Sequence, residues 1–272
     1  MSWANTTIAQ PMGYARAVLF PRARDAFRHY LALGHTHRLP ICICPEMACR
    51  VVEGTEAVNF LDVDKTGMAR GTQLYGYRTD HNEALDLDPL LTGWWREPTS
   101  PHRLISLGRH KILPLFGGGV FCTNDPDVAE ALGQHSFFPG GDTYIEKIRM
   151  VFEHLPEIVH ARWNQLDIWD RHLGDLLDRI PREQAMPWRC MRLAPPSKRG
   201  PIIRAMREAG IAVSINYPSF GSSQYYPGGM WWESRVLNFH LGILGDEETA
   251  EKTAFRAARI IERTMDADSS RY

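Results

Sequence analysis

Lys111 lies five residues after Ser106 and shortly before three consecutive glycines, Gly117, Gly118 and Gly119. A lysine amine is a nucleophile only when neutral, a state that desolvation or neighbouring positive charge favours, and it then forms Schiff bases with carbonyl compounds. Arg109 and His110 immediately precede Lys111. The Ser106 hydroxyl offers a donor for a phosphate at the same place, and glycines let backbone approach a bound group closely. The residues that follow, Val120-Phe121-Cys122, read as a short buried strand ending in a turn at Thr123-Asn124-Asp125.

An alternating chain has to carry these residues. Arg24 to Leu33 sets Phe27, Tyr30 and Leu31 on one helical face, and Gly34 stops that helix. A strand from Leu39 to Cys44 follows, then a helix near Glu46 to Gly54, then a strand from Ala57 to Asp64. This order predicts parallel crossover units. Ile145 to Trp169 reads as helical, and Ile202 to Gly210 as a helix closed by glycine, with a strand from Ile211 to Pro218 after it. Near the C-terminus, Leu237 to Gly242 precedes a helix opening at Asp246-Glu247-Glu248, acidic residues that suit the positive end of a helix.

The lysine segment resembles the sugar-aminotransferase family named DegT/DnrJ/EryC1/StrS, a branch of the fold-type I pyridoxal-phosphate enzymes. Ser106, Lys111, Gly118, Gly119, Thr123, Asn124 and Asp125 match that family's spacing. Asp62-Val63-Asp64 at a strand end and the glycine-strand junction at Gly210 match as well, with Asn216 where the family has histidine. The resemblance covers both ends and the lysine segment, but not the whole chain.

It implies an α/β fold: a mostly parallel sheet flanked by helices over residues 1–155, and a smaller C-terminal α/β domain over 156–272. It implies a homodimer, pyridoxal 5'-phosphate as cofactor, and Lys111 as its Schiff-base lysine. Ser106 would hold the phosphate. The family's phosphate-binding turn falls on Phe20-Pro21-Arg22, where Arg22 would supply a charge-assisted contact in place of lost donors. An aspartate would hold the pyridinium nitrogen, and Asp86 and Asp88 are the nearest candidates upstream. Their peptide, Leu85 to Pro89, equally resembles a segment that opens an earlier helix in the family. Arg149-Met150 matches a phosphate motif whose asparagine is missing. Substrates would be a small amine donor and a carbonyl acceptor such as a keto sugar; a degenerate member that binds a ligand or partner without transamination is the alternative.

Composition supports an enzyme of this kind without selecting it. The chain has 272 residues, 44% of them hydrophobic, and a formal net charge of -1. Such a balance gives no general attraction to nucleic acid or anionic membrane. No apolar run reaches the roughly 20 residues needed to span a bilayer, and Met1 to Gly13 lacks a basic segment followed by an apolar one, so a cytoplasmic location is expected. Five cysteines, an odd number, argue against a disulfide framework. Cys42, Cys44 and Cys49 with His35 and His37 fit no common zinc spacing and are expected as reduced core residues, metal binding being the other reading. The pairs Trp94-Trp95, Tyr225-Tyr226 and Trp231-Trp232 suit loop packing or the wall of a pocket.

Overall fold

The computed structural model describes residues 2–40, 58–61, 85–87, 100–108, 111, 117–136, 141–180, 187–214, 227–241 and 246–267. Within them, alternating apolar residues build a sheet that is covered on both faces. Its strands are β1 (Arg16–Phe20), β4 (Leu85–Leu87), β5 (His102–Ser106) and β6 (Gly119–Thr123), in the order β1-β6-β5-β4. Every residue of β6 is buried, as a strand with cover on both sides requires. Val120 and Cys122 enter one apolar cluster with Ala17, Ile105, Ile8, Met12 and Ile148. Phe121 enters the other, with Val18, Phe20, Leu85, Leu87 and Leu104.

The second cluster is closed by α2 (Ala23–Ala32) and α3 (Pro126–Gly133), through Phe27, Tyr30, Leu31, Val128 and Leu132. The first is closed by an N-terminal helical run, which starts as α1 (Ser2–Ala4) and continues through a π turn, Asn5–Ala9, and a 3-10 turn, Gln10–Met12. It is also closed by α4 (Gly141–Glu153) and α5 (Leu155–Leu173). Helices on both faces of a sheet are the expected α/β layering. β4 and β5 are parallel, whereas β6 runs antiparallel to both β5 and β1. A separate pair, β2 (His37–Pro40) and β3 (Val58–Leu61), is parallel.

The second sheet holds β7 (Asp178–Arg179), β8 (Arg189–Leu193), β9 (Val213–Ser214) and β10 (Val236–His240), in the order β7-β8-β10-β9, all antiparallel. It packs with α5, α6 (Pro196–Glu208) and α8 (Glu247–Asp266), while the short α7 (Pro227–Glu233) precedes β10. Ala250, Ala254, Ala257 and Ala258 line the buried side of α8. Their small side chains admit the close helix contact with Leu166, Trp169 and Leu173 of α5. The two sheets are not insulated from each other. Trp188, Met191, Trp232 and Val236 share a cluster with Ile105, Leu107 and Val120.

Several expectations are refined. The helix read over Ile145 to Trp169 is two helices that meet at His154, and Pro156, which has no N–H to donate, sits in the first turn of the second. The helix expected to open at Ile202 begins at Pro196, because prolines are tolerated in a first turn, and it ends before Gly210, whose φ is 73°. Leu85 to Leu87 forms a strand, and Asp88 and Pro89, which follow it, lie outside the described residues. Asp246 caps α8, accepting from the Glu248 N–H at 2.9 Å and the Thr249 hydroxyl at 2.6 Å. Cys42, Cys44, Cys49, Asp62, Asp64, Trp94, Trp95, Asn216, Tyr225 and Tyr226 lie outside the described residues. Among the described residues no helix is long and apolar enough to cross a membrane, and no group of three metal-ligating side chains occurs.

Candidate functional site

Ser106 lies at the carboxyl end of β5, and the connection that follows carries Lys111 and leads to the glycine turn. Ser106 ends that strand and pairs with Gly119, the first residue of β6. The chain between them turns back so that Leu107 N–H donates to the Gly118 carbonyl at 3.0 Å. Lys111 belongs to this connection, its N–H donating to the Gly108 carbonyl at 2.8 Å. Ser106 Oγ accepts a long bond, 3.5 Å, from Gly108 N–H. Its own hydroxyl proton has no acceptor among the described residues, so it remains available to a ligand.

The glycines have a specific geometric task. Gly117 and Gly118 have φ of 154° and 104°, a region that L side chains seldom adopt. A Cβ on Gly119 would stand 2.6 Å from the backbone nitrogen of Ala23, the first residue of α2. Only glycine lets the start of α2 lie against the start of β6. Gly118 N–H also donates to the Pro21 carbonyl at 2.7 Å, and Arg22 bridges Gly118 in a parallel sense. The N-terminus of α2 is thereby brought to the same place as Ser106.

Arg22 is the N-cap residue of α2, with extended backbone at φ -148° and ψ 143° and no side-chain cap. Its side chain is exposed, with no ion-pair partner among the described residues. The first amides of a helix carry partial positive charge, and a cation at the cap adds to it, so the terminus favours an anion. Backbone contacts through Gly118 and Gly119 thus connect the start of α2 at Arg22 to the end of β5 at Ser106, from which the connection carrying Lys111 departs.

Of the two aspartates only the backbone of Asp86 is described. β4 is the parallel neighbour of β5, yet its register sets Asp86 opposite Arg103, three residues before Ser106. That is roughly 10 Å back along the strand. Arg103 is 2% exposed, and its guanidinium stands 5.4 Å from the Tyr14 ring centre. Asp88 lies outside the described residues.

Two aromatic residues complete the surroundings, and neither stands out in the sequence. Tyr144, in the first turns of α4, donates its phenol O–H to the Gly117 carbonyl. Burial raises the Tyr144 pKa, which keeps the phenol protonated and donating. Trp188, just before β8, has its ring centre 5.9 Å from Lys111 Nζ and 4.3 Å from the Arg189 guanidinium. Both distances are within cation–π range. Arg189 Nη1 donates to Ser214 Oγ and to His240 Nε2, which fixes it across three strands. A phenol facing a glycine turn and a single tryptophan after proline leave no periodic mark in a sequence, whereas paired aromatics do. Of the pairs, Trp231 and Trp232 pack edge to face in the shared core, with ring centres 5.7 Å apart.

Lys111 itself has no carboxylate against it among the described residues. Its contacts there are its backbone bond to Gly108 and the Trp188 ring. A lysine committed to structure would ordinarily meet a carboxylate or a helix carboxyl end, as Lys198 does at the Thr264 and Met265 carbonyls, 2.9 and 3.0 Å away.

No protein-family model matches this chain, and no curated protein matches it in sequence. Solved structures do match in three dimensions. Spr1654 of Streptococcus pneumoniae, described as a sugar aminotransferase, superposes in its PMP form with a TM-score of 0.80 at 12% identity, over 98% of this chain and 91% of that one. The synthase of 3-amino-5-hydroxybenzoic acid gives 0.76 at 16% identity, over 96% and 90%. A DegT DnrJ EryC1 StrS aminotransferase of Brucella abortus gives 0.73 at 15% identity, over 96% and 89%. The chain has the fold-type I aminotransferase fold, and the likeness extends well beyond the segments that carry the sequence resemblance.

Proposed function

We propose that this chain is a pyridoxal-phosphate-dependent aminotransferase of the DegT/DnrJ/EryC1/StrS kind, with Lys111 as the residue that attaches the cofactor. The observation that carries the reading is a lysine that meets no carboxylate among the described residues, on the connection that leads from Ser106 at the end of β5 to the glycine turn and the uncapped start of α2. Among the similar structures, Spr1654 of Streptococcus pneumoniae is known in PLP and PMP forms.

The residues present fit the phosphate end of that cofactor. Ser106 Oγ has a hydroxyl proton to donate, the first amides of α2 and the Arg22 guanidinium supply positive charge, and Gly119, which admits the Ala23 backbone where a Cβ would clash, brings those amides beside Ser106. When bound, pyridoxal phosphate supplies an electron sink that withdraws charge from the substrate's α-carbon. Lys111 does the chain's own chemistry: its amine holds the cofactor covalently and, once released, carries a proton to and from the substrate α-carbon. Tyr144 holds the Gly117 carbonyl and with it the turn. An amine donor and a small carbonyl acceptor, a keto sugar or a related compound, are the substrates, and two copies of the chain form the working enzyme.

A second reading has one observation in its favour. Asp86 is set by register opposite Arg103, three residues back from Ser106, so its place along the sheet does not coincide with that of Ser106 and the glycine turn. On that reading the chain is a degenerate member that binds a ligand without transamination. Incubation with pyridoxal 5'-phosphate, borohydride reduction and peptide mass spectrometry separate the cases. An adduct at Lys111 that is lost in Lys111→Ala, together with amine transfer from any amino-acid donor, is expected. An adduct without transfer selects the degenerate reading, and no adduct at Lys111 defeats the first.

A further inference from the structure

We propose that Trp188 is a positioning residue for the Lys111 side chain, and that Arg162 holds Trp188 in that role from the neighbouring helix. The proposal rests on the reading of Lys111 as the reacting amine.

It begins from a buried charge that packing does not explain. Arg162, on α5, is 4% exposed and meets no carboxylate among the described residues. Its Nη1 donates instead to two successive carbonyls, those of Pro187 at 3.3 Å and Trp188 at 2.9 Å, while its Nε is buried without a partner. Burial, and after it the charge of Arg189, lower its pKa to about 10, so it remains a cation at neutral pH. A buried guanidinium with an unused donor is an unfavourable way to fill a core. Its geometry makes sense through the two carbonyls it grips. They belong to the backbone that presents the Trp188 ring, itself 2% exposed, to Lys111 Nζ.

The ring acts on Lys111 in two ways. A lysine stem is long and freely rotating, and a rigid aromatic wall on one side removes many of its conformers. The face of the indole also attracts an ammonium, and indole does so more strongly than a phenyl ring. Arg189, on the same ring and tied to Ser214 and His240, keeps the indole from turning. The chain of contacts runs from Arg162 through two carbonyls to an indole, and from the indole to the amine.

The test reads Lys111 directly, without turnover. The purified full-length protein is reductively methylated with formaldehyde and a borane, and Lys111 labelling is compared by mass spectrometry with that of Lys252, an exposed lysine on α8. Separate samples are treated with pyridoxal 5'-phosphate and borohydride. Trp188→Leu is expected to raise methylation of Lys111 relative to Lys252 about fivefold and to lower pyridoxal-phosphate labelling by a similar factor, while Trp188→Phe stays within about twofold of the parent. A purely structural role would not produce opposite movements rescued by the smaller ring. Arg162→Lys, which keeps the charge but loses the planar fork, shifts both readings in the same directions by about twofold and carries the test should Trp188→Leu not fold. Unchanged methylation of Lys111 in the folded variants overturns the proposal. Methylation that responds as stated, in a protein that takes no pyridoxal phosphate at Lys111, supports the positioning of Lys111 while removing the cofactor reading.

Discussion

Two helix starts on the same side of the first sheet are built in opposite ways. Asp125 opens α3, and its carboxylate accepts from the N–H groups of Asp127 at 2.9 Å and Val128 at 3.2 Å. Arg22 opens α2 with no side-chain cap, although its backbone is extended as a cap requires. The first start is satisfied within the chain. The second offers its amides, with a guanidinium beside them, next to Ser106 and the glycine turn. An arginine at a cap gives up the stabilisation an aspartate would contribute, about 1 kcal/mol, and gains a place where an anion is welcome. One terminus is closed by its own chain, and the other is left open to the surroundings of Ser106 and the glycine turn.

Substitution of Lys111 should give the strongest response. If the α2 start serves a cofactor held at Lys111, Lys111→Ala lowers any amine-transfer rate by about a thousandfold or more, measured with pyridoxal phosphate supplied. A rate within tenfold of the parent would mean that the chemistry lies elsewhere. Next is Gly119→Ala, which presses a methyl against the backbone of Ala23 and should destabilise the fold by about 3 kcal/mol in denaturant titrations; a neutral result would show that α2 is free to move away.

Exchanging the caps sharpens the contrast. Arg22→Asp is expected to raise the melting temperature by about 2 °C while weakening pyridoxal-phosphate binding about tenfold, as read by equilibrium absorbance titration. Opposite signs for the two readings are the diagnostic result, and loss of both would contradict the assignment. Asp125→Ala is expected to cost about 1 kcal/mol of stability and to leave that affinity unchanged.

The smallest effect concerns the far ends of the same two helices. His29, on α2, stacks on His135, just past α3, with ring centres 4.1 Å apart. The His29 pKa is lowered, first by burial, then by His135 and, less, by Arg28, with Asp25 opposing. The fold therefore favours neutral His29, and the unfolded chain binds the proton more readily. Its contribution is full above the ordinary value of 6.5 and declines as the pH falls below it. The melting temperature should drop between pH 6.5 and 5, and His135→Gln should flatten that drop; equal slopes would exclude the pair as the cause.

Much of the site was legible because its signals are local. Ser106, Lys111 and the glycines fall within 14 residues of one another, on the stretch that leaves β5 and enters β6. Val120-Phe121-Cys122 announced a strand buried on both faces, and Asp246 announced a cap three residues before the hydroxyl it accepts from. Thr123, Asn124 and Asp125, read as part of the same signature, turn out to tie the fold. Thr123 Oγ accepts from Asp125 N–H, Asn124 accepts from Ala15 N–H at 2.7 Å, and Asp125 caps α3. Tyr144, Trp188 and Arg162 were not legible, since their partners lie 27 residues away for Tyr144 and 25 and 26 for Arg162. No short-range pattern records such a contact.

From its sequence alone this chain determined an α/β protein with a lysine poised after a strand and before a glycine turn. Backbone sterics and the alternation of apolar residues act over a few positions and are written in neighbouring letters. Tertiary structure alone decided which helix start meets the glycines, which strand pairs with β5, and which ring lies against the lysine. Those outcomes depend on register between strands and on packing between helices, where one residue's shift changes every partner. Ser106 and the glycines around Lys111 stand near it in the sequence, whereas the Trp188 ring reaches it only through the fold.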